Sequence, residues 1–231
     1  MLIKYEKGEL DEFSISVWGQ AGEDFVLEKI FNNQEKGFYI DIGAHHPDRL
    51  SVTKRFYLKG WTGINIDGDA TLIKNFVSRR KLDKNITGIV GQKSNYLFYE
   101  FKEKALSTVN KSRALELISN GRKLIETRYI QGITLRKIFE RVPEGTVIDF
   151  MNLDIEGNEL DALKSAEFEK MTFDKLPNWI LIETRPPLES SLQDESVRYL
   201  VEIGYIPYLV LAMNTLLKKP TLSKFNNQII K

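Results

Sequence analysis

The sequence has no cysteine and only two histidines among its 231 residues. The absence of cysteine excludes disulfide bonds, thiolate nucleophiles, iron–sulfur clusters and cysteine-ligated zinc. It also fits a protein that works inside the cell, where disulfides are rare. The sequence therefore predicts a soluble protein in the cytoplasm.

An excess of charge of either sign is also missing. The chain has 33 basic and 32 acidic residues, which gives a formal net charge of +1. This balance favours neither nucleic acid nor an anionic membrane surface as a partner. No apolar run approaches the roughly 20 residues that span a bilayer, and the charged first dozen residues do not fit a signal peptide. We expect one soluble domain over residues 1–231, without a membrane span or a nucleic-acid partner.

Apolar runs that are typical of buried strands alternate with segments of helical periodicity along most of the chain. This alternation predicts an α/β fold in which a mostly parallel sheet carries helices on both faces. Two late strands that follow each other closely predict an antiparallel edge. The predicted strands are 37–41, 63–67, 85–90, 96–101, 125–130, 146–153, 179–182, 206–211 and 215–217.

The end of the first strand is the most informative part of the sequence. The strand ends in Asp41 and turns through Gly43 and Ala44, two small residues that let a ligand approach the backbone. The second strand ends in Asp67, about twenty-five residues later. A glycine turn after one strand and an acid after the next are typical of nucleotide sites, in which the acid binds ribose hydroxyls.

Acids also end two further strands, at Asp154 and Glu183. Parallel strands end at one rim of a sheet, so we expect these carboxylates to converge with Asp41 and Asp67. Each acid alone could simply cap the following helix. Four together indicate a site that holds a cationic or hydroxyl-rich ligand.

Five segments follow one another along the chain: Gln20–Asp24, Asp41–Pro47, Ser51–Thr53, Gly60–Asp67 and Asn152–Glu159. In this order and at this spacing they resemble the successive motifs of FkbM-type methyltransferases. The resemblance covers nearly the whole chain and implies an S-adenosylmethionine-dependent O-methyltransferase. It also implies the Rossmann-like class I methyltransferase fold with a seven-stranded sheet. Two departures are Gly68, where a proline is frequent, and the absence of an acid in 89–92.

The resemblance implies the residues that contact the cofactor. Asp67 would accept hydrogen bonds from both ribose hydroxyls, because two carboxylate oxygens match two adjacent donors. Ser51 would cap the following helix or bind the cofactor carboxylate. The remaining contacts would surround the methionine end (Asp41, Gly43, Ala44 and His45) and border the adenine (Gly91 and Gln92).

A hydroxyl acceptor must lose its proton as the methyl group arrives, and a base or metal ion assists this loss. His46 is the predicted base and acceptor contact, although it could simply shape the turn. Asp154 and Glu183 are further candidates for the base, or could hold a divalent cation together with a sugar diol. Arg185 would bind acceptor hydroxyls or form a salt bridge. The basic run 79–81 is interpreted as a solvent-exposed helix end.

The leading hypothesis is therefore O-methylation of a hydroxyl on a sugar or glycoconjugate. A hydroxyl of a polyketide or lipid-linked acceptor is an alternative within the same chemistry. A nicotinamide-dependent oxidoreductase would share the glycine turn and the ribose acid, but the sequence has no complete Gly-x-Gly-x-x-Gly motif. A silent binding module that keeps the fold is the third alternative. The sequence makes no prediction of the oligomeric state.

Overall fold

The computed structural model describes residues 16–32, 34–184 and 188–222. No helix in these ranges is long and apolar enough to cross a membrane. In chain order the α-helices and strands of these ranges are α1 (Glu23–Phe31), β1 (Phe38–Ile42), α2 (Lys54–Leu58), β2 (Thr62–Asp67), α3 (Ala70–Arg79), β3 (Lys84–Thr87), β4 (Ile89–Val90), β5 (Asn95–Phe101), α4 (Lys111–Ser119), β6 (Leu124–Ile133), α5 (Leu135–Phe139), β7 (Phe150–Leu153), α6 (Glu159–Lys164), β8 (Trp179–Glu183), α7 (Glu195–Glu202), β9 (Ile206–Leu211) and β10 (Asn214–Lys218).

The main sheet has seven strands in the order β3-β2-β1-β7-β8-β10-β9. Strand β10 runs antiparallel to both of its neighbours, whereas the other neighbouring pairs are parallel. Every residue of β1, β7 and β8 is buried, because helices cover a parallel sheet on both sides. The predicted Rossmann-like fold with its antiparallel edge is confirmed.

Successive side chains of β1 lie on opposite sides of the sheet and belong to different parts of the core. Ile40 and Ile42 belong to a cluster that includes residues of α5, α6 and α7. Tyr39 belongs to a second cluster, with Leu27 of α1 and Phe56 of α2. Successive side chains of a strand point to opposite faces, so helices pack on both faces of the sheet, as predicted.

A second sheet of three strands, in the order β4-β6-β5, was not predicted. The single strand expected at 85–90 is divided at Gly88 into β3, which pairs with β2, and β4, which pairs with β6. Strands β5 and β6 form a long antiparallel pair. Residues 104–109 follow β5 and lie beside the carboxyl ends of the main strands, where they contribute to the cleft described below.

The turn after β1 depends on Gly43, whose φ is +83°. The backbone N–H groups of Gly43 and Ala44 both donate to the carbonyl of Ile66, at 2.9 and 3.0 Å. The N–H of Asp154 donates to the carbonyl of Ile42 at 3.0 Å. A Cβ on Gly43 would lie 1.7 Å from the carbonyl oxygen of Asp154. Only glycine therefore lets the ends of β1, β2 and β7 meet this closely.

We expect Gly43→Ala to lower the free energy of unfolding by about 3–5 kcal/mol, because a positive φ and steric overlap act together. Gly60→Ala is the matched control, since its φ is +91° and no atom lies within 4 Å of its added Cβ. That variant should lose only about 1–2 kcal/mol. Urea denaturation followed by circular dichroism measures both. Equal losses in the two variants would contradict the close contact at Gly43.

Candidate active site

A cleft of about 1110 Å³, including its open mouth, lies at the carboxyl ends of β1, β2 and β7. Asp41, Asp67 and Asp154 all line it. A carboxylate oxygen of Glu183, at the end of β8, lies within 4.8 Å of carboxylate oxygens of Asp154 and Glu156. The predicted convergence of the strand-end acids is therefore seen in the structure.

Asp67 faces this cleft with a fixed carboxylate. One oxygen accepts the N–H of His45 at 3.0 Å, and the other accepts the N–H of Asp69 at 2.8 Å. Burial raises the pKa of Asp67 from 3.8 to about 6, and the negative charges of Asp69 and Asp41 add to this effect. Each carboxylate oxygen can accept a further hydrogen bond. The geometry therefore suits a ligand with two adjacent hydroxyl donors.

Asp41 is buried and held by two side chains. The hydroxyl of Thr53 donates to one oxygen at 2.8 Å, and the amide of Asn152 donates to the other at 2.9 Å. Burial raises the pKa of Asp41, whereas these two hydrogen bonds and the charge of Arg80 act in the opposite direction. Asp41 thus offers a fixed acceptor in the wall of the cleft.

The interpretation of residues 79–81 as a solvent-exposed run is wrong for Arg80. Arg79 and Lys81 are exposed, but Arg80 is only 1% exposed. Its guanidinium donates to the carbonyl of Pro47 at 2.6 Å and to the hydroxyl of Ser51 at 2.8 Å. Because α3 ends at Arg79, the next side chain turns inward beneath the segment that follows the Gly43 turn. Ser51, a predicted cofactor contact, is engaged in this contact and does not line the cleft.

The two histidines have different surroundings. His45 lines the cleft with a φ of +52°, and its buried Nδ1 has no hydrogen-bond partner among the described residues. Burial lowers the pKa of His45, so the ring is neutral near pH 7. His46 does not line the cleft, and its Nδ1 accepts the N–H of Asp48 at 3.1 Å. That bond leaves the proton of the neutral ring on Nε2, which argues against His46 as the base.

Asp154, Glu156 and Glu183 form a carboxylate cluster, of which Asp154 and Glu156 line the cleft. Burial and the charge of Glu183 raise the pKa of Asp154 well above its ordinary value. Neighbouring carboxylates of this kind share protons. A divalent cation at Asp154 and Glu183 stays a prediction, because carboxylates this close also occur without a metal. Arg185, the predicted acceptor contact, lies outside the described residues.

Gly91 and Gln92 are the residues that were predicted to border the adenine. Gly91 and Gln92 do not line the cleft, and Gln92 instead binds Asp161 through its backbone and side chain. The segment 88–90 and Phe98 line the cleft instead. Gly91 and Gln92 lie outside it because β4, the strand directly before them, pairs with β6 in the second sheet.

Several cleft residues were not predicted. Glu23 is buried and accepts a hydrogen bond from the amide of Asn214 at 2.8 Å. It lies within the segment 20–24, which resembles a family motif, so a signal existed for it. The loop 104–109 also lines the cleft, but it lies in a stretch without a motif or clear periodicity. Lys104 in this loop pairs with Asp69 at 2.7 Å.

Comparison with solved structures found chains that are 13% identical to this one. One, titled METTL16 MTase domain (crystal form 2), has a TM-score of 0.47; the match covers 86% of this chain and 66% of that one. The delta-N METTL16 MTase domain has a TM-score of 0.43, with 84% and 77% covered. The human methyltransferase 10 domain containing protein has a TM-score of 0.41, with 85% and 80% covered. The present chain spans just under two thirds of the first of these structures.

No curated protein sequence matches the chain. The model of the methyltransferase FkbM domain, however, matches residues 41–207, which is well over half of the 231 residues. This match favours methyl transfer over the nicotinamide-dependent alternative, and S-adenosylmethionine is the cofactor to be expected. The glycine turn and the two carboxylate oxygens of Asp67, each of which can accept a further hydrogen bond, fit that cofactor. The chain therefore belongs to the FkbM family of methyltransferases.

Proposed function

We propose that the protein is an S-adenosylmethionine-dependent O-methyltransferase, formed by one domain over residues 1–231, whose acceptor is a hydroxyl of a sugar or glycoconjugate. The observation that carries the proposal is the position of Asp67. Its carboxylate lies in the same cleft as the Gly43 turn and the cluster around Asp154. One cavity is thus lined by an acid that can bind ribose hydroxyls, a glycine turn that a ligand can approach closely, and a candidate base.

The chain's own residues account for cofactor binding as follows. Asp67 accepts the two ribose hydroxyls, and Asp41 and His45 surround the methionine end beside Gly43. Val90, which is buried, borders the adenine. The negative wall also suits the positive charges of the sulfonium and the ammonium group. When bound, S-adenosylmethionine would supply a methyl group that passes from its sulfonium to the acceptor oxygen by in-line displacement, with S-adenosylhomocysteine as the leaving group.

The acceptor proton goes to the cluster at the end of β7. Asp154 has a raised pKa because of its burial and because of Glu183, so its ionised form is a stronger base than an exposed aspartate. It lies directly after β7, next to the Gly43 turn in the sheet. We therefore assign proton acceptance to Asp154 and Glu183 in preference to His46.

The composition of the cleft supports a neutral, hydroxyl-rich acceptor. Gln20, Asn158 and Asn214 contribute amides to the wall, and the carboxylates described above contribute acceptors. Among the described lining residues Lys104 is the one lysine or arginine, and it is paired with Asp69. Sugar hydroxyls can donate to such a wall, whereas phosphates would be repelled. An acceptor rich in phosphate, such as nucleic acid, fits this cleft poorly.

Asp67→Asn should weaken binding of S-adenosylhomocysteine about 10- to 100-fold. An amide has one acceptor oxygen, so it cannot accept hydrogen bonds from two adjacent hydroxyls on two oxygens as a carboxylate does. Isothermal titration calorimetry measures the loss. Asp149→Asn is the matched control, since Asp149 is a buried aspartate with a raised pKa that binds the N–H of Phe38. It precedes β7, at the opposite end of the sheet, so its affinity should stay within about twofold of the wild type.

The affinity for S-adenosylhomocysteine measured in this titration should also depend on pH. The pKa of Asp67 is about 6 in the free fold against an ordinary 3.8. Asp67 therefore lowers the free energy of unfolding as the pH rises from about 4 to about 6. Binding needs the ionised form, so wild-type affinity should fall as the pH drops from 7.5 to 5. Asp67→Asn should lack the component centred near pH 6, and an unchanged pH profile in this variant would contradict the ribose assignment.

Asp154→Asn should reduce methyl transfer at least 100-fold, in line with the loss of a general base, while cofactor affinity stays within about threefold. The assay incubates the protein with labelled S-adenosylmethionine and a panel of neutral sugars and glycans, and detects added methyl groups by mass spectrometry. A chelator in a parallel reaction tests the divalent cation. Cofactor binding by the wild type without transfer to any panel member would favour the silent-module alternative. Full activity of the variant would remove Asp154 as the base.

A further inference from the structure

The function proposed above assigns no role to Arg80. Its side chain is buried, and its guanidinium carbon lies 5.0 and 5.3 Å from the ring centroids of Phe76 and Tyr57. Burying a guanidinium is costly unless its donors are satisfied and its charge is balanced. None of the described residues forms a direct salt bridge with Arg80. The balancing charges must therefore act from a distance.

Two hydroxyls connect Arg80 to two carboxylates, of which Asp41 is buried and Asp83 is half-buried. One guanidinium nitrogen donates to the hydroxyl of Thr53 at 2.7 Å, and that hydroxyl donates to Asp41 at 2.8 Å. The same nitrogen donates to the hydroxyl of Tyr39 at 3.2 Å, and that hydroxyl donates to Asp83 at 2.6 Å. Because arginine can only donate, it fixes both hydroxyls as acceptors towards itself and leaves their protons for the carboxylates.

The other terminal nitrogen of Arg80 holds the wall of the cleft. It donates to the carbonyl of Pro47 and to the hydroxyl of Ser51, at 2.6 and 2.8 Å. Pro47 and Ser51 flank the segment that contains Leu50. Leu50 lines the cleft and has a φ of +52°. One side chain thus orients a hydrogen bond to Asp41 and ties down the adjacent turn.

We propose that Arg80 is a positioning residue for cofactor binding, which acts through the Thr53 hydroxyl to hold Asp41 oriented and ionised in the cleft. This inference rests on the proposed function. The Tyr39 branch, by contrast, ends at Asp83, which does not line the cleft. It contributes to stability without contributing to binding.

The electrostatic surroundings of Asp41 make the inference testable by pH. Burial raises the pKa of Asp41, and the charge of Arg80 and the hydrogen bond from Thr53 lower it. Asp67 and Asp154 repel Asp41 from the neighbouring strand ends, and Glu23 lines the same cleft from α1. All of these charges stay in place when only the Thr53 hydroxyl is removed, so a change in the pH profile then reports the loss of that hydroxyl.

The test compares Thr53→Val with Tyr39→Phe, which remove one bridging hydroxyl each from the same guanidinium. Thr53→Val should weaken S-adenosylhomocysteine binding about tenfold at pH 7.5, the effect of one hydrogen bond to a charged group. The fall in affinity on acidification should also begin at a higher pH in this variant than in the wild type. Tyr39→Phe should lower the unfolding midpoint in urea but keep affinity within about twofold and leave the pH profile unchanged. Thr53→Ser, which keeps the hydroxyl, should restore binding.

Arg80→Lys provides a second route if Thr53→Val does not fold. A lysine donates from a single atom and cannot reproduce the fork geometry, so the same loss of affinity and the same pH shift are expected. Equal affinity in Thr53→Val and Tyr39→Phe, with unchanged pH profiles, would overturn the positioning role while leaving the methyltransferase proposal intact. A wild-type protein that binds no S-adenosylhomocysteine would overturn both.

Discussion

The site depends on one close contact, the approach of the β1 turn to the end of β7 at Gly43. The carbonyl of Asp154 occupies the space where any other residue would place a Cβ. The same turn donates two N–H groups to Ile66, at the penultimate position of β2. Three strand ends are thereby held together without an intervening side chain. Asp41, Asp67 and Asp154 face one cavity because their strands are joined in this way.

Burial raises the pKa values of Asp41, Asp67 and Asp154, and the charges of neighbouring carboxylates raise those of Asp67 and Asp154 further. This concentration of acids is therefore electrostatically unfavourable in the free protein. The protein offsets the cost locally. Asp67 receives two backbone N–H groups, and Asp41 receives an amide and a hydroxyl. The buried charge of Arg80 acts on Asp41 through Thr53. A ligand with hydroxyl donors and positive charge would relieve the remaining repulsion, so the site is best matched to such a ligand.

The main sheet could be predicted from the sequence because its strands are continuous apolar runs and its acids stand at strand ends. Asp41, Gly43, Asp67 and Asp154 were identified by position alone. The second sheet was missed because β4 is only two residues long and pairs with β6, more than forty residues later in the chain. Pairing over such a distance leaves no local pattern. As a consequence, the segment 88–90 lines the cleft, whereas Gly91 and Gln92 do not.

Arg80 shows a different limit of sequence reasoning. In the sequence it stands between two exposed basic residues at a helix end, where a solvated side chain is the ordinary expectation. Its burial depends on the hydroxyls of Tyr39, Ser51 and Thr53, which come together only in the folded chain. His46 shows the same limit, because only the fold reveals that its Nδ1 is occupied by the N–H of Asp48.

The most direct test of the central claim is a crystal structure of the protein with bound S-adenosylhomocysteine. The account predicts that the two carboxylate oxygens of Asp67 lie about 2.5–3.0 Å from the two ribose hydroxyls. It also predicts that the ligand backbone passes over the Gly43 turn, beside Asp41. A nucleoside bound elsewhere, or bound in this cleft with Asp67 turned away from the ribose, would contradict it.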